Sequence, residues 1–241
     1  MRVNRSFVVK RSVTSRRDKL EALKTLSRYI RHSITDEQVS CWIAQAEGRA
    51  KDGCDRTETA LLKMLALSKS KEQSFGAAIQ EINLIPVSIS YEYDPCAGDK
   101  ARELHASEQG LTYIKDEFED LDTILKGLVE YKGRIQVNFG TPITQNYATA
   151  DQLAAEIDRQ IQNNYQLFPS NIMAWQMQGD RDSATFARLK QQWPDEDWLE
   201  SQIRFQSHLA AIPSIHRQIA IDAYAAPVNS QLAQQSQPQG N

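Results

Sequence analysis

The chain has 241 residues, of which 41% are hydrophobic and 24% charged, with a mean hydropathy of −0.54. That composition is richer in apolar residues than a disordered chain, and no run of about 18 apolar residues is present to cross a bilayer as a helix. The net charge of −3 is uneven: residues 1–31 hold ten bases against two acids, a net +8, which leaves −11 for the remainder and points to an anionic partner for the basic end.

In chain order, Phe7, Val8 and Val9 form a short apolar run between basic residues and read as a buried strand. Thr14 or Ser15 can cap the following helix, with Asp18 in its first turn and Leu20, Leu23, Leu26 and Ile30 as its apolar stripe. Residues 39–44 are a second strand candidate, which would place Trp42 in the core, followed by a polar stretch to Thr57. Thr57 or Thr59 opens a helix with Leu61, Leu62, Met64, Leu65 and Leu67, and 74–82 form a shorter one. Residues 84–91 are the third strand, with Pro86 at a start, an edge or a bulge because it cannot donate a ladder hydrogen bond. A helix is expected over 99–106, and another from Phe118, Leu121, Ile124, Leu125 and Leu128. Residues 134–139 make the fourth strand, stopped by Gly140 and Pro142.

To about residue 145 the alternation predicts an α/β fold, an open parallel sheet with crossover helices. Residues 146–230 predict a helical extension, with stripes at Leu153, Ile157 and Ile161, at Phe186, Leu189 and Trp193, and at Trp198, Ile203 and Leu209. The Gln-, Ser- and Pro-rich residues 231–241 are expected to be disordered. Cys41, Cys54 and Cys96 are odd in number and form no CxxC pair, so neither a disulfide framework nor a zinc site is expected and a reducing cytoplasm fits.

Of the four histidines (His32, His105, His208, His216), His105 and His208 lack a nearby carboxylate at metal spacing and His32 follows a helix end, and no P-loop, GxSxG or dinucleotide motif occurs. What remains is a set of turns after strands: Lys10 and Arg11 after the first, and Glu47, Gly48, Arg49, Lys51 and Gly53 after the second. Ligands of an open sheet gather beyond the carboxyl ends of its strands, and bases there beside glycines suit a phosphate. A polar turn with a local ion pair is the plain alternative for Glu47–Arg49.

Four of these segments resemble the glycerol-3-phosphate/1-acylglycerol-3-phosphate acyltransferase superfamily. Residues 5–11 are similar to its second block, a strand ending in a basic pair. Glu47, Gly48 and Arg49 resemble the third, residues 84–92 the fourth, and residues 137–143 the Phe-Gly-x-Pro-Ile element that closes many such domains. The resemblance covers about residues 4–145 and implies a partial acyltransferase domain over 1–145, moving an acyl group from acyl-CoA or acyl-carrier protein to a glycerol-phosphate hydroxyl, with no cofactor beyond that donor. It implies that Lys10, Arg11 and Arg49 hold the acceptor phosphate, that Glu47 and Gly48 shape the pocket, and that Pro86 borders the acyl or thioester channel. Arg49 follows Gly48 directly where the family has one residue between, so Arg49 or Lys51 takes that role.

The family's first block, a His with an Asp five positions on, carries the general base and belongs upstream of Arg5. Its lack here leads to the expectation of a truncated form with little activity alone and no catalytic residue in this chain. The alternative is a non-catalytic module that docks anionic lipid or nucleic acid through the basic first helix. The lack of aromatic residues over 16–28 tells against nucleic acid. The expected location is the cytoplasm, with peripheral contact to the inner face of an anionic membrane.

Overall fold

The computed structural model describes residues 15–46, 48, 50–179 and 182–236. The expected strand at 7–9 therefore lies outside the described residues. The described elements, in order, are α1 (Arg16–Thr35), α2 (Thr59–Leu65), α3 (Phe75–Glu81), β1 (Val87–Tyr91), α4 (Ala97–Glu108), α5 (Glu119–Val129), β2 (Ile135–Phe139), α6 (Ala150–Asn164), α7 (Pro169–Met177), α8 (Ser183–Lys190), α9 (Trp198–Ala210) and α10 (Ser214–Gln235). They fall into two compact units, each assembled from separated stretches of chain.

The first unit takes the described residues within Met1–Gly48, Arg56–Pro86 and Gly140–Gln160. Helix α1 starts where Ser15 Oγ accepts from the Asp18 N–H, with Asp18 set against the positive end of the helix dipole. Its inward face carries Leu26 and Ile30 together with Ser27 and Ser33. Ser27 Oγ donates to the Leu65 carbonyl at the end of α2 (2.9 Å), so this helix contact is part apolar packing and part hydrogen bonding. Arg16, Arg17, Lys19 and Arg28 remain exposed on α1. Asp158 on α6 accepts from both the N–H and Oγ1 of Thr57 (2.8 and 2.6 Å) and so ties the approach to α2. A Cβ on Gly76 would lie 1.8 Å from Asn146 Oδ1 and 2.7 Å from the Tyr147 carbonyl, so α3 meets that turn only through a glycine.

Residues 39–44 do not form the expected strand. The chain turns at Gln38 (φ 55°), Val39 N–H donates back to Ser33 O (2.8 Å), and no neighbouring strand among the described residues supplies a ladder. Trp42 is 65% exposed and not in the core. Trp42→Ala should therefore shift the urea midpoint by an amount equivalent to no more than about 0.5 kcal/mol. A loss of several kcal/mol would return Trp42 to a packed position.

The second unit takes the described residues within Arg49–Asp55, Val87–Phe139 and Ile161–Asn241. Its core joins Tyr93, Ala97 and Ala101 with Ile172, Trp175, Leu189, Phe205, Leu209, Ile221 and Val228. Helix α7, with Pro169 in its first turn, is buried on all sides, which accounts for its lack of an amphipathic period. Residues 231–235 continue α10 and do not belong to a disordered tail: Gln231 Nε2 donates to the Gln162 and Tyr165 carbonyls (2.9 and 2.7 Å). Those side-chain bonds act together with Leu232, which packs against the core.

Strands β1 and β2 pair antiparallel, with Val87 opposite Phe139, Ile89 opposite Val137 and Tyr91 opposite Ile135. Among the described residues this pair is the sheet, so the expected parallel arrangement is not present there. The ribbon is also inverted. Ser88 and Ser90 point inward, Ser90 Oγ accepting from the Gln166 N–H (2.9 Å), while Ile89, Tyr91, Ile135, Val137 and Phe139 lie exposed on the opposite face.

Helix α5 repeats that inversion. Its polar side is the one held down: Thr123 is buried, its carbonyl accepts from Cys96 Sγ (3.5 Å), and Lys126 Nζ reaches Asp99 (2.8 Å). The predicted stripe of Phe118, Leu121, Ile124, Leu125 and Leu128 forms as expected but faces outward, each side chain 55–73% exposed.

Arg134, just before β2, clamps two carboxylates. Its guanidinium forks onto Glu92 (2.7 and 2.9 Å) and Glu196 (2.7 and 3.1 Å) and lies over the Trp193 ring at 4.4 Å. Its own N–H also donates to Glu92 (2.9 Å).

Candidate functional site

The second unit holds a cavity of about 240 Å³. That is below the ~300–1,000 Å³ of sites for drug-sized ligands and suits a small polar molecule. One wall is the 50–55 loop, a second is β1 through Ile89 and Tyr91, and α4, α10, Asp94, Tyr165 and Asn171 supply the rest.

The loop is held by a backbone contact that only glycine permits. Gly53 has φ +74°, and a Cβ there would lie 2.0 Å from the carbonyl oxygen of Ala223 on α10. That carbonyl is free to meet it because Pro227, four residues on, has no N–H to donate within the helix. The α hydrogen of Gly53 therefore points at an oxygen that an ordinary helix would have used. Asp52 Oδ1 accepts from the Cys54 N–H (3.0 Å) and tightens the turn.

Two lysines reach the cavity, each with an acid beside it. Lys51 Nζ pairs with Glu103 on α4, and Lys100 Nζ with Asp94 at 2.6 Å. Asp94 also fixes the start of α4, its Oδ1 accepting from the Cys96 N–H (2.8 Å). With Asp55 and Asp94 among the lining residues, the charges of the wall balance. An incoming anion must therefore exchange for a carboxylate on each lysine. Such an exchange favours a group with several charged oxygens, such as a phosphate, over a single carboxylate.

Behind Asp94 lies a hydrogen-bonded relay. The Asp94 N–H donates to Tyr224 Oη (2.6 Å), which leaves the Tyr224 hydroxyl proton directed at His208 Nε2 (2.9 Å). Burial pushes the Tyr224 hydroxyl well above its usual range and the His208 imidazole below its own. Both are therefore neutral near pH 7, and His208 accepts from Tyr224. The buried Asn171 side chain holds the same helix by donating to the Tyr224 carbonyl (2.9 Å).

Of the residues expected at the site, Lys10, Arg11, Glu47 and Arg49 lie outside the described residues. Gly48 has φ +87°, and among the described residues no atom lies within 4 Å of where its Cβ would be. Lys51 does line the cavity. Pro86 is buried in the first unit, where its carbonyl accepts from the Gly140 N–H (2.8 Å), whereas the cavity is lined by residues of the second. Asp94, Lys100 and Tyr224 were not singled out in the sequence. Asp94 could have been found, since an Asp ahead of Pro95 at a helix start is a turn and capping signal. Lys100 and Tyr224 carry no such mark. Among the described residues no helix is long and apolar enough to cross a membrane. No protein-family model, curated protein or solved structure matches the chain.

Proposed function

We propose that this chain is a phospholipid/glycerol acyltransferase-like protein whose cavity receives the phosphate end of a glycerol-phosphate acceptor. One observation carries the reading. Lys51, the alternative to Arg49 for the basic role of the family's third block, and Ile89 and Tyr91, from the segment that resembles its fourth, line a single cavity. Lys51 and Lys100 supply the cations, and the apolar β1 side chains suit the start of an acyl chain.

In the proposed reaction the acceptor hydroxyl attacks the thioester carbonyl, an ester C–O bond forms, the C–S bond breaks, and the hydroxyl proton passes through a base to the departing thiolate. No histidine of the sequence has an aspartate five positions on, and His208 is engaged by Tyr224. The proposed role of these 241 residues is thus acceptor binding with little turnover. The exposed bases of α1 support peripheral contact with an anionic membrane on its cytoplasmic side.

Calorimetric titration with sn-glycerol 3-phosphate, run beside a thioester-release assay with palmitoyl-CoA, tests both halves. Saturable binding, weakened about tenfold or more in Lys51→Ala and Lys100→Ala, and release close to the buffer background are expected. The absence of heat at millimolar ligand would overturn the acceptor site. Sustained thioester turnover would overturn the claim that a base is lacking.

A further inference from the structure

The outward stripe of α5 has the spacing of a helix–helix seam. Phe118, Leu121, Leu125 and Leu128 follow one another at three, four and three residues, the a/d pattern of a coiled coil, with Ile124 and Val129 widening the strip. All six are 55–73% exposed. At about 200 Å² for a large side chain they present on the order of 700 Å² of apolar surface. The largest apolar patch on an ordinary monomer is about 300–600 Å², and a standard interface takes about 800 Å² from each side.

We propose that this stripe docks a second copy of the same chain, two α5 helices packing antiparallel about a twofold axis. A self-matching partner follows from the pattern. Antiparallel pairing sets Leu121 against Leu125 of the second copy and Phe118 against Leu128 of the second copy, so the four side chains of the seam each meet an apolar partner. The antiparallel sense also brings opposite ends of the helix dipoles together.

A lipid surface fits less well, because the segment carries Asp116, Glu117, Glu119, Asp120, Asp122 and Glu130. Its nearby cations are already engaged: Lys126 with Asp99 and Lys115 with Asp120. An anionic bilayer would face all six acids with like charge, whereas the antiparallel register sets Asp120 level with Lys126 of the second copy. Helix α5 keeps its position in the single chain through its polar side, so the seam is preformed before association. The proposal holds whatever ligand fills the cavity.

Sedimentation equilibrium of the full chain tests it. The parent should dimerise at micromolar concentration, and the double variant Leu121→Asp with Leu125→Asp should dimerise at least a hundredfold more weakly. Its far-UV spectrum should match the parent's, since both side chains are exposed in the single chain. Mixing a Leu121→Cys variant with a Leu125→Cys variant under mild oxidation should give a disulfide dimer in far greater yield than either alone or the parent. A parent that stays monomeric, a double variant that still dimerises, or a mixture that cross-links no better than its components would each overturn the proposal. Flotation of the parent with phosphatidylcholine vesicles, lost in the double variant, would assign the stripe to lipid and overturn it as well.

Discussion

Replacing Arg134 with alanine should lower the stability of the chain by about 2–4 kcal/mol at neutral pH, read as a shift of the urea midpoint. The reason is the state in which the variant leaves its neighbours. The Glu92 and Glu196 side chains are only 8% and 10% exposed, and in the parent each accepts two bonds from the Arg134 side chain. Without it, two buried carboxylates lose the guanidinium that bonds them both, and the ring of Trp193 loses its cover. Arg134 is itself 38% exposed, so water screens part of the pair, and the expected loss is below that of a fully buried one.

The same cluster sets a pH dependence. Burial pushes the Glu196 carboxyl up, but its bonds from Arg134 and Ser201 more than offset this and hold it below its ordinary value of 4.5. A carboxyl depressed on folding contributes stability that is fully present above 4.5 and is lost as the pH falls through the lower, folded value. In Arg134→Ala only the Ser201 bond and the charge of Arg204 are left to oppose burial, so protonating Glu196 costs the fold less than in the parent. The gap between parent and variant should therefore narrow as the pH drops below 4.5. A midpoint equal to the parent's at pH 7, or a gap that widens in acid, would contradict this account of the clamp.

Gly53→Ala should release the 50–55 loop from α10 while the helices stay folded. A left-handed backbone costs a residue with a Cβ about 1–2 kcal/mol, and overlap with a packed neighbour about 1–3 more. Here the neighbour is the backbone carbonyl of Ala223, 2.0 Å from the added methyl, and it cannot swing aside as a side chain could. Amide protection over residues 50–56 should fall on the order of a hundredfold in hydrogen exchange, with α7 and α9 unchanged. Because Lys51 rides on that loop, glycerol 3-phosphate affinity should fall with it. Unaltered protection would show that the loop is not fixed by this contact.

The sequence made the starts of elements legible and left their partners unread. Ser15 as the cap of α1 and the β-branched segments of β1 and β2 were readable because capping and side-chain alternation are local. Residues 39–44 have the same local character, yet no strand meets them among the described residues, and strand propensity does not report whether a neighbour exists. The period of α5 identified which side chains share a face, but it could not say that this face lies outward while Thr123 and Lys126 hold the other.

The candidate site divides in the same way. Lys51 and Gly53 were visible as a base and a turn residue in one short loop. That Gly53 exists to meet Ala223, and that Pro227 frees the carbonyl it meets, depends on contacts some 170 residues apart. Glu103 and Asp94 beside the two lysines were equally invisible, and they change the site from a cationic patch to one where a ligand must displace acids.

The most direct test is a crystal structure of the chain soaked with sn-glycerol 3-phosphate. The account predicts the phosphate between the ammonium groups of Lys51 and Lys100, with Glu103 and Asp94 moved off them and the glycerol carbons toward Ile89 and Tyr91. A cavity that stays empty at saturating ligand, with both lysines still on their carboxylates, would contradict it.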